Sequence, residues 1–576
     1  MSESVTPYDM AIVGGGLAGL VAGVRAAELG LRVILLEQGD GASYPCNSRF
    51  SGGILHMGFL DPYRPVQELV NIINDLTEGE AKPELAQALA NTGGRLVSWL
   101  QSKGTRFMRF NQEEAYKWCM APPRASRGGI DWKDKGPDVV LRQLALEFVR
   151  LGGTLQLKAR ATGLLMKAGR CIGVEGLCDG KNKTWGARYC LISDGGFQAN
   201  QLLVQRYITP RFETLFQRGG RTGKGDGLLM AQAAGAALTS LNRFYGHLMC
   251  NDARHNDQVW PYPQIDEIAT AGIVVDDFGC RIVDEGRTGV SLANELAAVA
   301  KTDRMFAVFD QNIWDGPGAN SRIPANPLLE LAGGTILRAE SVADLAKKMG
   351  VPPESLERTL KDYNKALDEG GLANLNIARS DKVKPYAIRK LPLMAIPICP
   401  AITYTMGGID IDGNAQVLDV GGNPIPGLFA AGSTTGGIEG GKNSAYIGGL
   451  IKAGSFGLLA AERAATLEGK TVNIEPIREV SASNEKLHET ATQILKNTSV
   501  AHGLARFPVL HALVRHGKKA AFLIAAIETL LLAALGWEFF GWIGLLSAIM
   551  IAALTLVIII GCVEMVTLVT ELLLPE

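Results

Sequence analysis

Apolar and polar positions sort the first forty residues into strand, turn, helix and strand. Met10-Ala11-Ile12-Val13 is an unbroken apolar run, three glycines follow at 14, 15 and 16, and a helical pattern carries on through Arg25-Ala26-Ala27-Glu28-Leu29-Gly30. A second strand, Arg32-Val33-Ile34-Leu35-Leu36, ends at Glu37. A similar pattern returns late in the chain. Ala415–Asp419 reads as a strand, Ile425-Pro426-Gly427-Leu428-Phe429-Ala430-Ala431-Gly432-Ser433 as another followed by a turn, and a helix begins around Gly448-Gly449-Leu450. Between these blocks, 267–345 holds short strand-like and helical pieces, and Pro352-Pro353 opens a helix over 353–368. Residues 467–519 form a polar, partly helical connector punctuated by Gly469, Pro476 and Pro508.

The C-terminal pattern is different. From Ala520 to Phe540 the only charges are Glu528 and Glu538, and Gly541–Val563 has none. Twenty-three helical residues extend ~34 Å, enough for a hydrocarbon core of ~30 Å. Trp537-Glu538-Phe539-Phe540-Gly541-Trp542 suits an interfacial turn. The reading is a transmembrane hairpin over 520–566, although Glu528 in the first span costs about 3 kcal/mol unless it is paired or protonated. Arg506, Arg515, Lys518 and Lys519 precede it and only acids follow, so the positive-inside rule sets the preceding domain in the cytoplasm, at the cytoplasmic membrane. The start of the chain shows no charged-then-apolar signal segment.

Composition narrows the class further. Lys plus Arg is 57 against 58 for Asp plus Glu, a net charge of −1, which removes the basic footprint of a nucleic-acid binder. The 68 glycines, about 12 % against a usual ~7 %, signal tight turns and backbone approach to a ligand. Nine cysteines occur without any CxxC spacing, so no metal site is expected, and the odd count fits reduced thiols.

The strand–glycine–helix entry has the form of a dinucleotide fingerprint. Gly14 makes the turn, Gly16 lets backbone approach a pyrophosphate, and Gly19 allows close helix–strand packing. The helix N-terminus attracts the anion, and Glu37, 18 residues beyond Gly19, is placed to accept from ribose hydroxyls. This spacing does not choose between FAD and NAD.

The entry and the Gly427-Leu428-Phe429-Ala430-Ala431-Gly432 return together resemble the fumarate reductase/succinate dehydrogenase flavoprotein family, which includes 3-ketosteroid dehydrogenases and tricarballylate dehydrogenase. Further matches are Ser51-Gly52-Gly53, Ala159-Arg160-Ala161-Thr162, Ser193-Asp194-Gly195-Gly196-Phe197, Gly225-Asp226-Gly227, Arg281–Gly286 and Thr405-Met406-Gly407-Gly408. The likeness covers roughly 6–465 and implies FAD. It implies an α/β fold: a Rossmann-like FAD-binding domain over 1–241 and 405–466, with an inserted α+β capping domain over 242–404. The cofactor residues it implies are Gly14, Gly16, Gly19, Glu37, Ser51, Gly52, Gly53, Ala161, Asp194, Gly195, Gly432, Gly448, Gly449 and Leu450. Backbone N–H groups at the Gly448-Gly449 helix start are placed to stabilise an anionic reduced flavin.

The resemblance also implies catalytic residues. His247 matches the histidine that contacts a substrate carboxylate or carbonyl. Fumarate reductases carry a proton-donating arginine four residues beyond the Glu of the Arg281–Glu285 block. That position here is Gly289, with Arg287 two residues earlier. A second substrate histidine is replaced by Tyr404, and a carboxylate-binding arginine is replaced within Asn443–Ile447. A small dicarboxylate needs several fixed cations, and most are missing from these positions. The remaining set is rich in tyrosine: Tyr245, Tyr262, Tyr404 and Tyr446. Steroid dehydrogenases of the family use tyrosines to polarise a ketone and remove a proton, which makes Tyr446 the first acid/base candidate and Tyr404 the second; as a base, a phenol of pKa ~10 needs that value lowered. Cys46 stands near the point where some members attach FAD through histidine, so histidyl attachment there is excluded and a cysteinyl link is the alternative.

The function expected is a membrane-anchored FAD-dependent oxidoreductase acting on a C–C bond beside a carbonyl or carboxylate. Its expected partners are a small-molecule substrate, membrane lipid, and a quinone or a membrane electron-transfer protein. Two alternatives stay open: a tricarballylate- or fumarate-type organic-acid oxidoreductase passing electrons to a membrane partner, and a non-catalytic flavin-binding subunit.

Overall fold

A computed structural model describes residues 8–474 apart from 109–113, 125–128, 130, 321 and 322. The chain enters through β1 (Tyr8–Val13), turns at the glycines into α1 (Leu17–Glu28) and returns as β2 (Val33–Leu36). β1 and β2 run parallel with Ile12 opposite Leu35. Helices α2 (Pro83–Ser102) and α3 (Gly136–Arg150) lead to β3 (Thr154–Gln156), which adds to the far edge of β2. An antiparallel meander follows: β4 (Ala159–Lys167), β5 (Arg170–Cys178) and β6 (Lys181–Ile192). The end of β6 re-enters beside β1, Met10 opposite Tyr189. Met10–Val13 and Val33–Leu36 are buried throughout, as unbroken apolar runs between helical layers require.

The chain then builds a second, antiparallel sheet from β7 (Phe244–Cys250), β8 (Ile273–Val275), β9 (Met305–Asp310) and the long β10 (Leu393–Thr405), in the order β7-β10-β9-β8. Helices α4 (Asp266–Ala271) and α5 (Gly289–Val299) pack against it, and α6 (Pro353–Asp368) covers the predicted segment residue for residue. Finally β11 (Gln416–Leu418) and β12 (Pro424–Ala430) rejoin the first sheet, with Leu428 opposite Cys190 on β6, and α7 (Gly449–Leu467) closes against α1. The α1–α7 contact is backbone-close: a methyl group on Gly457 would lie 2.5 Å from the Ala18 carbonyl oxygen.

One part of the expected architecture is corrected. Among the described residues no helix is long and apolar enough to cross a membrane, and what they form is the α/β nucleotide-binding fold alone. The hairpin expected over 520–566 lies outside the described residues. The expected membrane anchoring and cytoplasmic-membrane location rested on that segment alone and are not carried forward.

Candidate active site

The first cavity is a cradle between two glycine turns. Gly14 has φ +96°, and a Cβ there would press to 2.7 Å from Asp194 Cα and the Ser193 carbonyl oxygen. Gly19 lies inside α1, where a Cβ would come within 2.0 Å of the Gly14 carbonyl oxygen. Gly16 is different. A Cβ on it would meet only Ser48 Oγ at 3.5 Å, so the protein does not need this glycine for its own packing, and the space before it is open. Gly195, at φ +94°, likewise faces open space. Gly14, Gly16 and Gly195 line the cradle together with Ala161, Asp194 and Gly432, whereas Gly19 packs behind it, and the first N–H groups of α1 stand beside it. This geometry suits a pyrophosphate at a helix N-terminus. Glu37 closes the far end. Its oxygens accept from Gly15 N at 2.8 Å and Gly39 N at 2.7 Å, and burial still raises its pKa. Burial also raises Asp194, to about 7, with Oδ1 unpaired among the described residues. Cys46 lines the cradle as a free thiol pushed up to about 11 by burial, so it is not a thiolate.

Asn47, Ser48, Ser433 and Ala453 line both this cradle and a second cavity, so the two are continuous. The second encloses about 1860 Å³ counting its open mouth. Ser51, Gly52, Gly53, Gly449 and Leu450 line it, whereas Gly448 lies just behind, its N–H donating to Glu439. Three tyrosines gather at one wall. The ring of Tyr245 stacks on Tyr446 at 4.1 Å and tilts against Tyr404 at 5.3 Å. Burial and mutual proximity raise the pKa of all three above the ordinary tyrosine value. They are therefore neutral hydrogen-bond donors and acids, with no lowering of the kind a resident base would need. The N–H of Gly449, in the first turn of α7, donates to Tyr446 Oη at 3.4 Å.

Behind the tyrosines stand two polar chains. In the first, His247 does not line the cavity but supports Tyr245. Its Nδ1 lies 2.6 Å from Asp266 Oδ2 and its Nε2 3.0 Å from Tyr245 Oη. The carboxylate fixes the Nδ1–H tautomer, leaving Nε2 to accept from the phenol. Desolvation lowers the His247 pKa, so the ring is neutral. Gly289 explains the missing arginine: a Cβ there would sit 2.2 Å from Asp266 Oδ2, so the acid occupies the room a side chain would take. Arg287 is turned to Asp284 and Glu295 and is not among the cavity-lining residues. The second chain was not visible in the sequence. Tyr404 Oη donates to Glu439 at 3.0 Å; Glu439 also accepts from Lys452 Nζ at 2.6 Å and from the backbone N–H groups of Ile447 and Gly448. Lys452 and Glu439 are almost wholly buried.

His56 faces Tyr446 edge-on at 5.5 Å and lines the cavity. Its Nδ1 accepts from Phe59 N at 3.2 Å, and burial lowers its pKa to about 4. At the opposite side are two arginines from loops. Arg218 donates to Pro261 O and Thr403 Oγ1 and lies over the Tyr262 ring at 5.5 Å. Arg124 donates through NH1 to Phe50 O, whereas its Nε and NH2 have no partner among the described residues. Both arginines line the cavity from loops outside the motifs singled out in the sequence.

The FAD binding domain family model matches residues 9–446. The chain is 26% identical over 479 residues to the probable fumarate reductase Ifc3 of Shewanella frigidimarina, covering 79% of this chain and 74% of that protein. It is 24% identical over 538 residues to the 4-oxocyclohexanecarboxylate 2-dehydrogenase of Sinomonas cyclohexanicum, covering 78% and 90%. Two other curated relatives are matched over only about half their length. Among solved structures, 3-ketosteroid-delta4-(5alpha)-dehydrogenase from Rhodococcus jostii RHA1 shares the fold, with a TM-score of 0.60 at 23% identity over 81% of this chain and 98% of that one. The cradle, open in front of Gly16 and Gly195 and bounded by Glu37, fits FAD. The chain belongs to the FAD binding domain family, its cofactor is FAD, and it is an FAD-dependent oxidoreductase of the CH–CH class.

Proposed function

We propose that this enzyme adds or removes hydrogen across a C–C bond beside a carbonyl group of a small-molecule substrate. FAD, when bound, supplies the exchange of a hydride equivalent. The division of labour follows the two sheets. Residues 1–241 and 405–466 form the cofactor domain, with Gly14, Gly16, Gly19, Glu37, Ala161, Asp194, Gly195 and Gly432 at the nucleotide. Ser51, Gly52, Gly53, Gly448, Gly449 and Leu450 serve the flavin end, and 242–404 caps the substrate. The carrying observation is the stack of neutral phenols at the head of α7, whose N–H groups face the same wall. Tyr446 and Tyr404 donate to the carbonyl oxygen and hold the charge that develops there as the bond is activated. When hydrogen is removed, the Tyr245 oxygen takes the proton leaving the substrate carbon as Tyr245 gives its own proton to His247 Nε2, which Asp266 holds in the accepting tautomer; when hydrogen is added, the same relay runs in reverse. Arg287 stays in the capping domain as an ion-pair partner of Asp284 and Glu295.

The test is anaerobic titration of the FAD-loaded protein with a panel of cyclic ketones, steroids and polycarboxylates, together with reoxidation of the dithionite-reduced protein by the matching enones. A ketone or enone should change the visible flavin band, and Tyr446→Phe should slow that change. A flavin unresponsive to every carbonyl compound in both directions would refute the reading.

A further inference from the structure

The unpaired guanidinium in the second cavity adds a substrate feature that the tyrosines do not explain. Among the described residues Arg124 leaves Nε and NH2 without hydrogen-bond partners, although its side chain is largely buried. Arg218, buried in the same cavity, donates only to neutral oxygens. Among the described residues neither arginine forms an ion pair. The carboxylate of Asp131 acts on Arg124 at longer range and is paired with Lys135 at 3.3 Å. Two like charges sharing one cavity repel each other, and a buried charge without a counter-ion is costly. Such a site is completed by an anion, and a guanidinium fork matches a carboxylate.

The three tyrosines and the two arginines line one and the same cavity. Arg218 acts on both Tyr245 and Arg124. Arg218 also lies over the ring of Tyr262, another residue of the same lining, at 5.5 Å. The remaining walls are mostly apolar and include Phe50, Ile54, Phe59 and Ile323. We propose that Arg124, with Arg218, is the receptor for a carboxylate on the substrate, joined by an apolar skeleton to the carbonyl that meets Tyr446 and Tyr404. The substrate class is then a keto acid with an apolar skeleton, in which the charge anchors one end and the phenols activate the other. This rests on the proposed carbonyl chemistry for its tyrosine end only.

The probes are 4-hydroxybenzoate and its methyl ester, which share a phenol able to stand for an enol and differ in the anion. Each is titrated by calorimetry into FAD-loaded protein, using the natural sequence, Arg124→Gln and Arg124→Lys. The acid should bind about ten- to a hundredfold tighter than the ester to the natural protein. Arg124→Gln should shrink that ratio to within about threefold while leaving ester affinity and flavin content unchanged, and Arg124→Lys should restore part of it as a point charge. Equal binding of acid and ester, no binding of either, or an acid affinity untouched by Arg124→Gln would each overturn the assignment. No flavin reduction is read, so a silent flavin in the ketone panel would sink the carbonyl chemistry and leave this preference standing, and the reverse also holds.

Discussion

Removing Lys452 offers the sharpest test of how the tyrosine wall is held. Its ammonium and the Glu439 carboxylate are 2.6 Å apart, with side-chain exposures of 2% and 0%. Water cannot replace either partner. Breaking such a pair from one side costs about 3–5 kcal/mol, because the other charge stays buried. In Lys452→Met the carboxylate keeps the Tyr404 hydroxyl and the N–H groups of Ile447 and Gly448, so the loss should fall near the lower end, about 3 kcal/mol. Glu439→Gln should cost about 4–5 kcal/mol, since it strands the ammonium and turns an amide donor toward other donors. The double variant carries no stranded charge and should be at least ~2 kcal/mol more stable than the sum of the single losses predicts. Urea unfolding of the FAD-loaded proteins, followed by tryptophan and flavin fluorescence, measures all four corners of the cycle. A Lys452→Met protein within ~1 kcal/mol of the natural one, or single losses that simply add, would refute the reasoning.

The remaining predictions concern the cradle, the wall and acid stability. Gly16→Val should fold, because only Ser48 Oγ stands near the added carbon, but purify without flavin; Gly19→Val should fail to fold, because its Cβ meets the Gly14 carbonyl at 2.0 Å. Absorbance and circular dichroism of the purified variants separate the two, and a yellow Gly16→Val protein would contradict the cofactor assignment. Tyr446→Phe should retain FAD and lose turnover by about a hundred- to a thousandfold, as expected for one lost donor to a developing oxyanion; unchanged turnover would remove Tyr446 from the chemistry. His56 is unprotonated in the folded protein down to about pH 4 and takes up a proton near 6.5 when unfolded. The unfolded state therefore binds more protons in that window, and stability falls as pH drops from 6.5 to 4, by about 3 kcal/mol in all for this group. His56→Gln should flatten that part of the stability–pH curve, and an unaltered slope would show that His56 is not the group responsible.

The sequence exposes what is local. The glycine entry, the helix opened by Pro352-Pro353 and the return through Gly427–Gly432 were legible because each is set by neighbours a few residues apart: a turn that needs positive φ at Gly14, a proline at a helix start, an apolar run between two layers. The tyrosine-rich wall could be anticipated by residue type. Its supports could not. Lys452 on a helix reads as a solvent-facing cation, yet it is buried against a glutamate thirteen residues earlier, on the loop before α7. Asp266 meets His247 only because α4 folds back onto β7. Arg124 and Arg218 lie ninety-four residues apart, in loops with no shared motif, so no spacing rule unites them. Conversely, Arg287 looked apt because of its position in a motif, and the fold ties it to Asp284 and Glu295 instead.

The backbone-close seam between α1 and α7, at Gly457 and Ala18, has an evolutionary corollary. It clamps the nucleotide end and the phenol end to one rigid spine, so neither can drift without spoiling the other. The arginines hang from loops outside that spine. Exchanging them would retune which molecules are admitted while the redox machinery stays untouched, and diversification of this scaffold should therefore concentrate around residues 124, 218 and 262.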